Sequence, residues 1–428
     1  MLAPLDYTRP DGSALTLALR RYRAEEEPRL GTLFVNPGGP GLSGMEMAGA
    51  LKKEGLRQFD VVGWDPRGVG ASTPVRCDPA SFTAFVRADG SPDSPAEEAA
   101  LIRSARKFGA SCLARSGALL EHVSTEETVR DLDLLRHMLG DPQLTYYGES
   151  YGSAIGSLYA TMYPQQVGKL AFDGAYNFDD PPVRGTTYAF ERQLTALVDF
   201  CLQGTSCSLG DHRDVALRRI DELLRSLDQA PMPAGDRKLT QGDAVRALGF
   251  GLYEPQFNWD RLTRALASSI EQRDGAQLLA LADQYTGLNP DGSYPHWWTA
   301  YFAVTCLDER AAGLDERLAD AAEEARTAPI LGPHLGLAIA CPLWPVRNHP
   351  RPPIGASTKP ILIVSTTGDP AASYESATRL TQRLKNSVLL TMQGHGHGAY
   401  RHSNCIQNHV VAFLIHGSTP APRTSCDI

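Results

Sequence analysis

Six short apolar runs punctuate the chain: GTLFVN (Gly31–Asn36), FDVVGW (Phe59–Trp64), LTYYGE (Leu144–Glu149), KLAFDG (Lys169–Gly174), ILIVST (Ile361–Thr366) and SVLLTM (Ser387–Met392). They are continuous rather than alternating and rich in β-branched and aromatic residues. That pattern predicts strands buried on both faces of a mostly parallel sheet. Helical periodicity fills the gaps. Val129, Leu132, Leu135 and Leu139 recur at three and four residues and predict a helix over 125–139. Ser124 followed by Glu127 has the form of a capping box, and Gly140 with Asp141-Pro142 ends the run. A second helix is expected to begin at a corner near Ser150 and to run through AIGSLYATMY to Pro164.

From about Asn177 to Pro353 the pattern changes. AFERQLTALVDFCL, VALRRIDELLRSL and ADAAEEARTA are helical, and buried-strand runs almost vanish before returning at Ile361. The expected fold class is therefore α/β: a core formed by residues 1–176 and 354–428, interrupted by a mainly helical cap over 177–353. A substrate site between cap and sheet follows from that organisation.

Composition narrows the function. The chain has 428 residues, 42% of them hydrophobic and 21% charged, enough for a sizeable folded core. The formal net charge is −8 and no Lys/Arg cluster stands out, which argues against nucleic acid as a partner. No apolar run reaches the roughly 18 residues of a membrane span. The sequence begins MLAPLDYTRPDGS, which reads as a strand region and not as a signal peptide. Either the protein is cytosolic or a leader lies upstream of its first residue. Eight cysteines (Cys77, Cys112, Cys201, Cys207, Cys306, Cys341, Cys405 and Cys426) without a CxxC pair favour the second alternative. Disulfides between sequential neighbours and an oxidising compartment are expected.

The candidate chemistry centres on Gly148-Glu149-Ser150-Tyr151-Gly152, which follows a predicted strand and opens a predicted helix. That is the setting of a nucleophile elbow, where Ser150 sits on a tight strand-to-helix turn beside helix N–H groups. A serine nucleophile needs a base and an orienting acid, which in this fold follow in the order Ser, Asp/Glu, His. Asp369 in STTGDP comes just after one strand. His397 in TMQGHGHGAY comes just after another, with His395 as an equally spaced competitor. The backbone amide of Tyr151 and that of Gly39, in the glycine-rich NPGGPG loop, are the candidate oxyanion donors. Asp65 and Arg67 in GWDPRGVG read as structural. No metal or organic cofactor is implied.

The motifs NPGGPGLSG, GWDPRGVGAST, GESYGSAIGSLYA, LAFDGAY, TTGDPAASYE and GHGHGAY, with the tail SNCIQNHVVAFLIHGSTPAPRTSC, resemble the secreted tripeptidyl aminopeptidases of actinomycetes, α/β-hydrolases related to prolyl aminopeptidases. The resemblance runs from APLDYTRPDG to Cys426 and is weakest in the cap. It implies Ser150, Asp369 and His397 as a catalytic triad, selects His397 over His395, and implies secretion. Two positions depart from the family pattern: Gln393 stands where an acid usually precedes the Gly-x-Gly-His segment, and Ala372-Ser373 where Thr-Pro often follows. The implied activity is a serine exopeptidase acting on a free N-terminus through an acyl-enzyme. A carboxylate would then hold the substrate ammonium, with Glu149, Asp179, Asp180 and Glu191 as candidates, and Trp297, Trp298 and Tyr301 would line a pocket or fill the cap core. The competing readings are an esterase, lactonase or amidase of small molecules using the same triad, and a non-catalytic binding protein that kept the fold. Oligomeric state is not legible.

Overall fold

The computed structural model describes residues 1–180, 184–204, 207–309, 313–334, 336–346, 351–355, 357 and 359–427. Strands β1 (Leu2–Pro4) and β2 (Ala14–Thr16) pair as an antiparallel hairpin, followed by β3 (Leu19–Tyr22), β4 (Thr32–Asn36), β5 (Asp60–Trp64), β6 (Leu144–Glu149) and β7 (Val167–Asp173). A small hairpin of β8 (Met232–Ala234) and β9 (Arg237–Leu239) lies far along the chain, before β10 (Ile361–Gly368), β11 (Ser387–His395) and β12 (Ser425–Asp427). Eight strands form one sheet in the order β12-β11-β10-β7-β6-β4-β5-β3. All neighbours are parallel except β3 with β5.

All six apolar runs lie in this sheet, and every residue of β4 and β5 is buried. Each large apolar side chain so placed contributes about 1.5–3 kcal/mol over leaving it in water. The edge strands were not readable individually. β3 reads LRRY, and β12 is only Ser-Cys-Asp, fastened beside β11 by a disulfide from Cys426 to Cys405. The expected sequential pairing of cysteines is observed throughout: Cys77–Cys112, Cys201–Cys207, Cys306–Cys341 and Cys405–Cys426.

The helix expected over 125–139 spans Thr125–Met138, with Leu139 at its C-cap. Its cap is only half a capping box. Ser124 Oγ accepts the Glu127 amide at 3.3 Å, but the Glu127 carboxylate turns to His122 Nδ1 at 2.8 Å. The helix after Ser150 runs Tyr151–Met162.

Between β7 and β10 the chain is mainly helical, with helices at Arg184–Gln203, Arg213–Gln229, Gln241–Tyr253, Pro255–Ala267, Ala276–Thr286, Trp297–Asp308 and Leu314–Thr327. Residues from Leu194 to Ala282, with Ile330 and Leu331, close around a hydrophobic cluster of their own. Trp298, Phe302 and Trp344 instead pack into the cluster that contains Phe82, Phe85 and Phe108 of the α/β core. No helix among the described residues is long and apolar enough to cross a membrane.

The parallel register brings five strand ends together. Asn36 lies opposite Gly148, Glu149 opposite Asp173, and Gly368 opposite His395. Open α/β sheets form their sites at such carboxyl ends.

Candidate active site

Ser150 occupies the corner between β6 and its helix with φ +56° and ψ −123°. A non-glycine residue at positive φ is costly and persists only where its surroundings hold it. The Ser150 amide donates to the Asp173 carbonyl at 2.8 Å, and the Ser150 carbonyl accepts from the Ser153 amide (2.8 Å) and hydroxyl (2.6 Å). The flanking glycines are required by close approach. A Cβ on Gly148 would lie 2.4 Å from the Gly152 oxygen, and one on Gly152 would lie 2.5 Å from the Asn36 oxygen.

The NPGGPG loop leaves the end of β4 against this corner. A Cβ on Gly38 would sit 2.5 Å from the Glu149 oxygen and 2.7 Å from the Tyr151 nitrogen. The Gly38 amide is taken by Asn36 Oδ1 at 2.9 Å, while the Gly39 amide donates to nothing among the described residues. Tyr151 opens its helix, where amides lack intrahelical partners.

Asp369 and His397 meet directly. His397 Nδ1 lies 2.9 Å from both oxygens of the Asp369 carboxylate. That carboxylate is buried and also accepts the amides of Ala371 (2.9 Å) and Ala372 (2.8 Å). The opposite ring nitrogen, His397 Nε2, is buried and has no hydrogen-bond partner among the described residues. The ring abuts Gly174, where a Cβ would come within 3.0 Å of Cε1. The His397 ring and the Ser150 amide therefore contact adjacent residues, Gly174 and Asp173. Burial opposes a charge on His397, but the Asp369 carboxylate outweighs it. With further help from Glu149 and Asp173, it raises the imidazole to about 9.

His395 is directed elsewhere. Its Nδ1 lies 2.7 Å from Gln193 Oε1, and burial pushes its pKa down.

Of the four acids considered for an ammonium, three are engaged in structure. Asp179 holds Arg351 Nη1 (2.7 Å) and the Ile354 amide (2.9 Å). Asp180 holds Arg379 and Ser376, and Glu191 accepts the amides of Ile330 and Leu331. Glu149 pairs through its backbone with Asp173, and its carboxylate carries no hydrogen bond among the described residues. Burial, then the neighbouring charge of Asp173, push it up to about 7. Trp298 is buried, donates from its indole to the Thr286 carbonyl at 3.0 Å and stacks on Trp297 at 4.0 Å, so it belongs to the core of this region.

Two acids that the sequence did not single out stand close to the corner. Asp173 ties the corner to the histidine loop: its carbonyl holds Ser150, and its carboxylate accepts the amides of Ala399 (3.0 Å) and Tyr400 (2.9 Å). Its only signal was the LAFDGAY motif. Asp308 accepts the Thr125 amide (2.9 Å) and hydroxyl (2.5 Å), and that hydroxyl also bonds the phenol of Tyr151. Burial raises Asp308 to about 7.

Asp65 and Arg67 do not pair with each other. Asp65 accepts from Ser43 and the Ala71 amide, while Arg67 is spent on Asp131. Of the two departures from the family pattern, Gln393 reaches outward to Ser425, and Ser373 caps the helix Tyr374–Arg383.

A serine raised on a positive-φ corner at the carboxyl end of a parallel sheet is the way α/β-hydrolases present that residue, and the protein is a serine hydrolase of that fold. The comparisons narrow the class. A family model described as TAP-like protein matches residues 328–426. The chain is 34% identical to serine protease Hip1 of Mycobacterium tuberculosis, covering 100% of this chain and 86% of that one. It is 34% identical to a carboxylesterase B of the same organism (99% and 85%) and 30% identical to a tripeptidyl aminopeptidase of Streptomyces lividans (99% and 82%). The chain belongs to this family of TAP-like α/β-hydrolases.

Proposed function

We propose that the protein is a secreted serine peptidase that releases short peptides from a free N-terminus through an acyl-enzyme on Ser150. The observation that carries this reading is the His397–Asp369 pair, whose outer ring nitrogen is buried and unengaged and whose ring packs against Gly174, the residue next to the one that anchors Ser150. Ser150 Oγ attacks the scissile carbonyl, and His397 Nε2 takes its proton. Asp369 holds the other ring nitrogen and stabilises the imidazolium. The amides of Tyr151 and Gly39 receive the oxyanion. His397 then protonates the leaving amine, and water, deprotonated by the same imidazole, releases the acyl group. The insertion over 177–353 acts as the cap that shapes the substrate site. Four disulfides support an oxidising, extracellular setting.

The test uses one tripeptidyl anilide with a free and with an acetylated N-terminus. The free form is expected to be cleaved and the acetylated form to be at least about tenfold poorer, the loss of one charge-assisted contact. Equal cleavage of both removes the exopeptidase claim. The second reading, a small-molecule esterase, draws on the carboxylesterase B relative, which shares the same 34% identity with the chain as the protease does. It requires turnover of simple esters with neither anilide cleaved.

The pH profile provides a second expectation. His397 serves as base only when neutral, so kcat/KM rises with pH and levels off above about 9. Glu149, at about 7, is ionised through most of that limb and favours the imidazolium. Glu149→Gln removes the charge, lowers the His397 pKa and moves the rising limb to lower pH. A limb that stays in place uncouples Glu149 from the base.

A further inference from the structure

The insertion does more than cover the strand ends: it grips both loops that carry the acid and the base. Gln193, on the helix Arg184–Gln203, is buried at 2% exposure. Its Nε2 donates to the Gly368 carbonyl at 2.6 Å, and its Oε1 lies 2.7 Å from His395 Nδ1, the Nδ1–H tautomer being the donor this acceptor requires. Gly368 immediately precedes Asp369, and His395 lies two residues before His397.

Three further contacts come from the next part of the insertion. The His397 amide donates to the Tyr253 carbonyl at 2.9 Å, Gln256 Nε2 donates to the His395 carbonyl at 3.1 Å, and the Trp259 ring lies 5.3 Å from that of His395. A cavity of about 280 Å³ lined by Arg192, Gln193, Gly368, Asp369 and His395 adjoins the clamp, so the loops are not packed solid on that side. The loops are also joined directly, by the Gly396 amide on the Gly368 carbonyl (3.1 Å) and by Thr367 Oγ1, which donates to the Gly394 carbonyl (3.2 Å) and accepts the Gly394 amide (3.1 Å), and Gln193 adds a bridge from the insertion on the cavity side.

We propose that Gln193 is a positioning residue for the reaction, an amide from the cap that braces the acid loop against the base loop where they leave the sheet. This rests on the serine-hydrolase reading with Ser150, His397 and Asp369 as its triad. Gln193 touches no reacting atom. Its effect is to set the Asp369–His397 distance and the direction of the imidazole. The cap is thereby coupled to catalysis as well as to recognition.

The test compares wild type with Gln193→Met, which keeps the volume and loses both bonds, and with Gln193→Glu, which keeps the acceptor for His395 and loses the donor to Gly368. The readouts are kcat and KM on a good substrate, the rate of phosphonylation by a small alkyl fluorophosphonate, the pH profile of that rate, and the melting temperature. The fluorophosphonate reports the triad without peptide recognition. Gln193→Met is expected to lower kcat and the phosphonylation rate by about 10- to 100-fold, the cost of a misplacement near 1 Å. KM should stay within about threefold and the pH limb should shift, with Gln193→Glu intermediate. Unchanged phosphonylation in a folded Gln193→Met, or an effect confined to KM, overturns the proposal. If Gln193→Met does not fold, Gln193→Glu decides by the same criteria. A Ser150→Ala arm separates the two failures: phosphonylation at the wild-type rate there sinks the triad reading, whereas its loss alongside a wild-type-like Gln193→Met sinks the Gln193 role alone.

Discussion

Ser150→Ala is expected to lower kcat by about a million-fold, the scale seen when a triad serine is removed. The methyl group fits where the hydroxymethyl group sat, and the corner survives because main-chain bonds hold it: the Ser150 amide to Asp173 and the Ser150 carbonyl to Ser153. The melting temperature should therefore barely move. His397→Ala should cost about as much, and the double variant little more, because the two groups act in one step and their losses are not additive. A residual rate about 10³–10⁴ above the uncatalysed reaction should persist, supplied by the Tyr151 and Gly39 amides and by binding. Turnover and fluorophosphonate labelling of purified variants measure this. Activity within tenfold of wild type in Ser150→Ala would remove Ser150 as the nucleophile.

The parts of this site that were legible in sequence are those that local chemistry dictates. Gly148 and Gly152 flank Ser150 because a Cβ at either would strike backbone, and such a constraint leaves a mark on the sequence. The strands were visible because burial on both faces demands unbroken apolar runs. What remained hidden depends on register and long-range packing. Glu149 gains its raised pKa from burial first and then from Asp173, which lies opposite it in the sheet, and no spacing reveals either. Gln193 reaches Gly368 across 175 positions and reads as one more polar residue on an amphipathic helix. Asp179, Asp180 and Glu191 stood in the sequence as candidates for a substrate ammonium, and each has found a partner that only the fold supplies. The half-made cap at Ser124 has the same origin: His122 competes for Glu127 and wins. Between His395 and His397 the residues alone offered no choice. The structure separates them by what each ring faces.

The second large effect concerns stability. Arg67 is fully buried, and all five of its N–H groups have acceptors. Nε and Nη2 form a bidentate pair with Asp131, each at 2.7 Å, while Nη1 and Nη2 reach the carbonyls of Leu5 (3.0 Å), His122 (2.9 Å) and Pro4 (3.1 Å). Asp131 also accepts the Tyr7 phenol at 2.8 Å. One guanidinium thus joins the N-terminal hairpin, the loop after β5, and the helix Thr125–Met138. The net contribution of such a buried pair is small because desolvation offsets attraction, but removing one partner strands the other. Asp131→Ala is expected to destabilise the fold by about 3–5 kcal/mol, read as a lower urea midpoint at an unchanged slope. Arg67→Met combined with Asp131→Leu should recover part of that loss, since the Arg67–Asp131 charges go together, although Glu127, 3.5 Å from Arg67 Nη1, then keeps only His122. Neither variant alters a residue that touches Ser150, Asp369 or His397, so kcat at low temperature should stay within about twofold of wild type while the protein remains folded. A double variant as unstable as Asp131→Ala would mean that the cost lies in the carbonyls Arg67 satisfies rather than in the stranded charge.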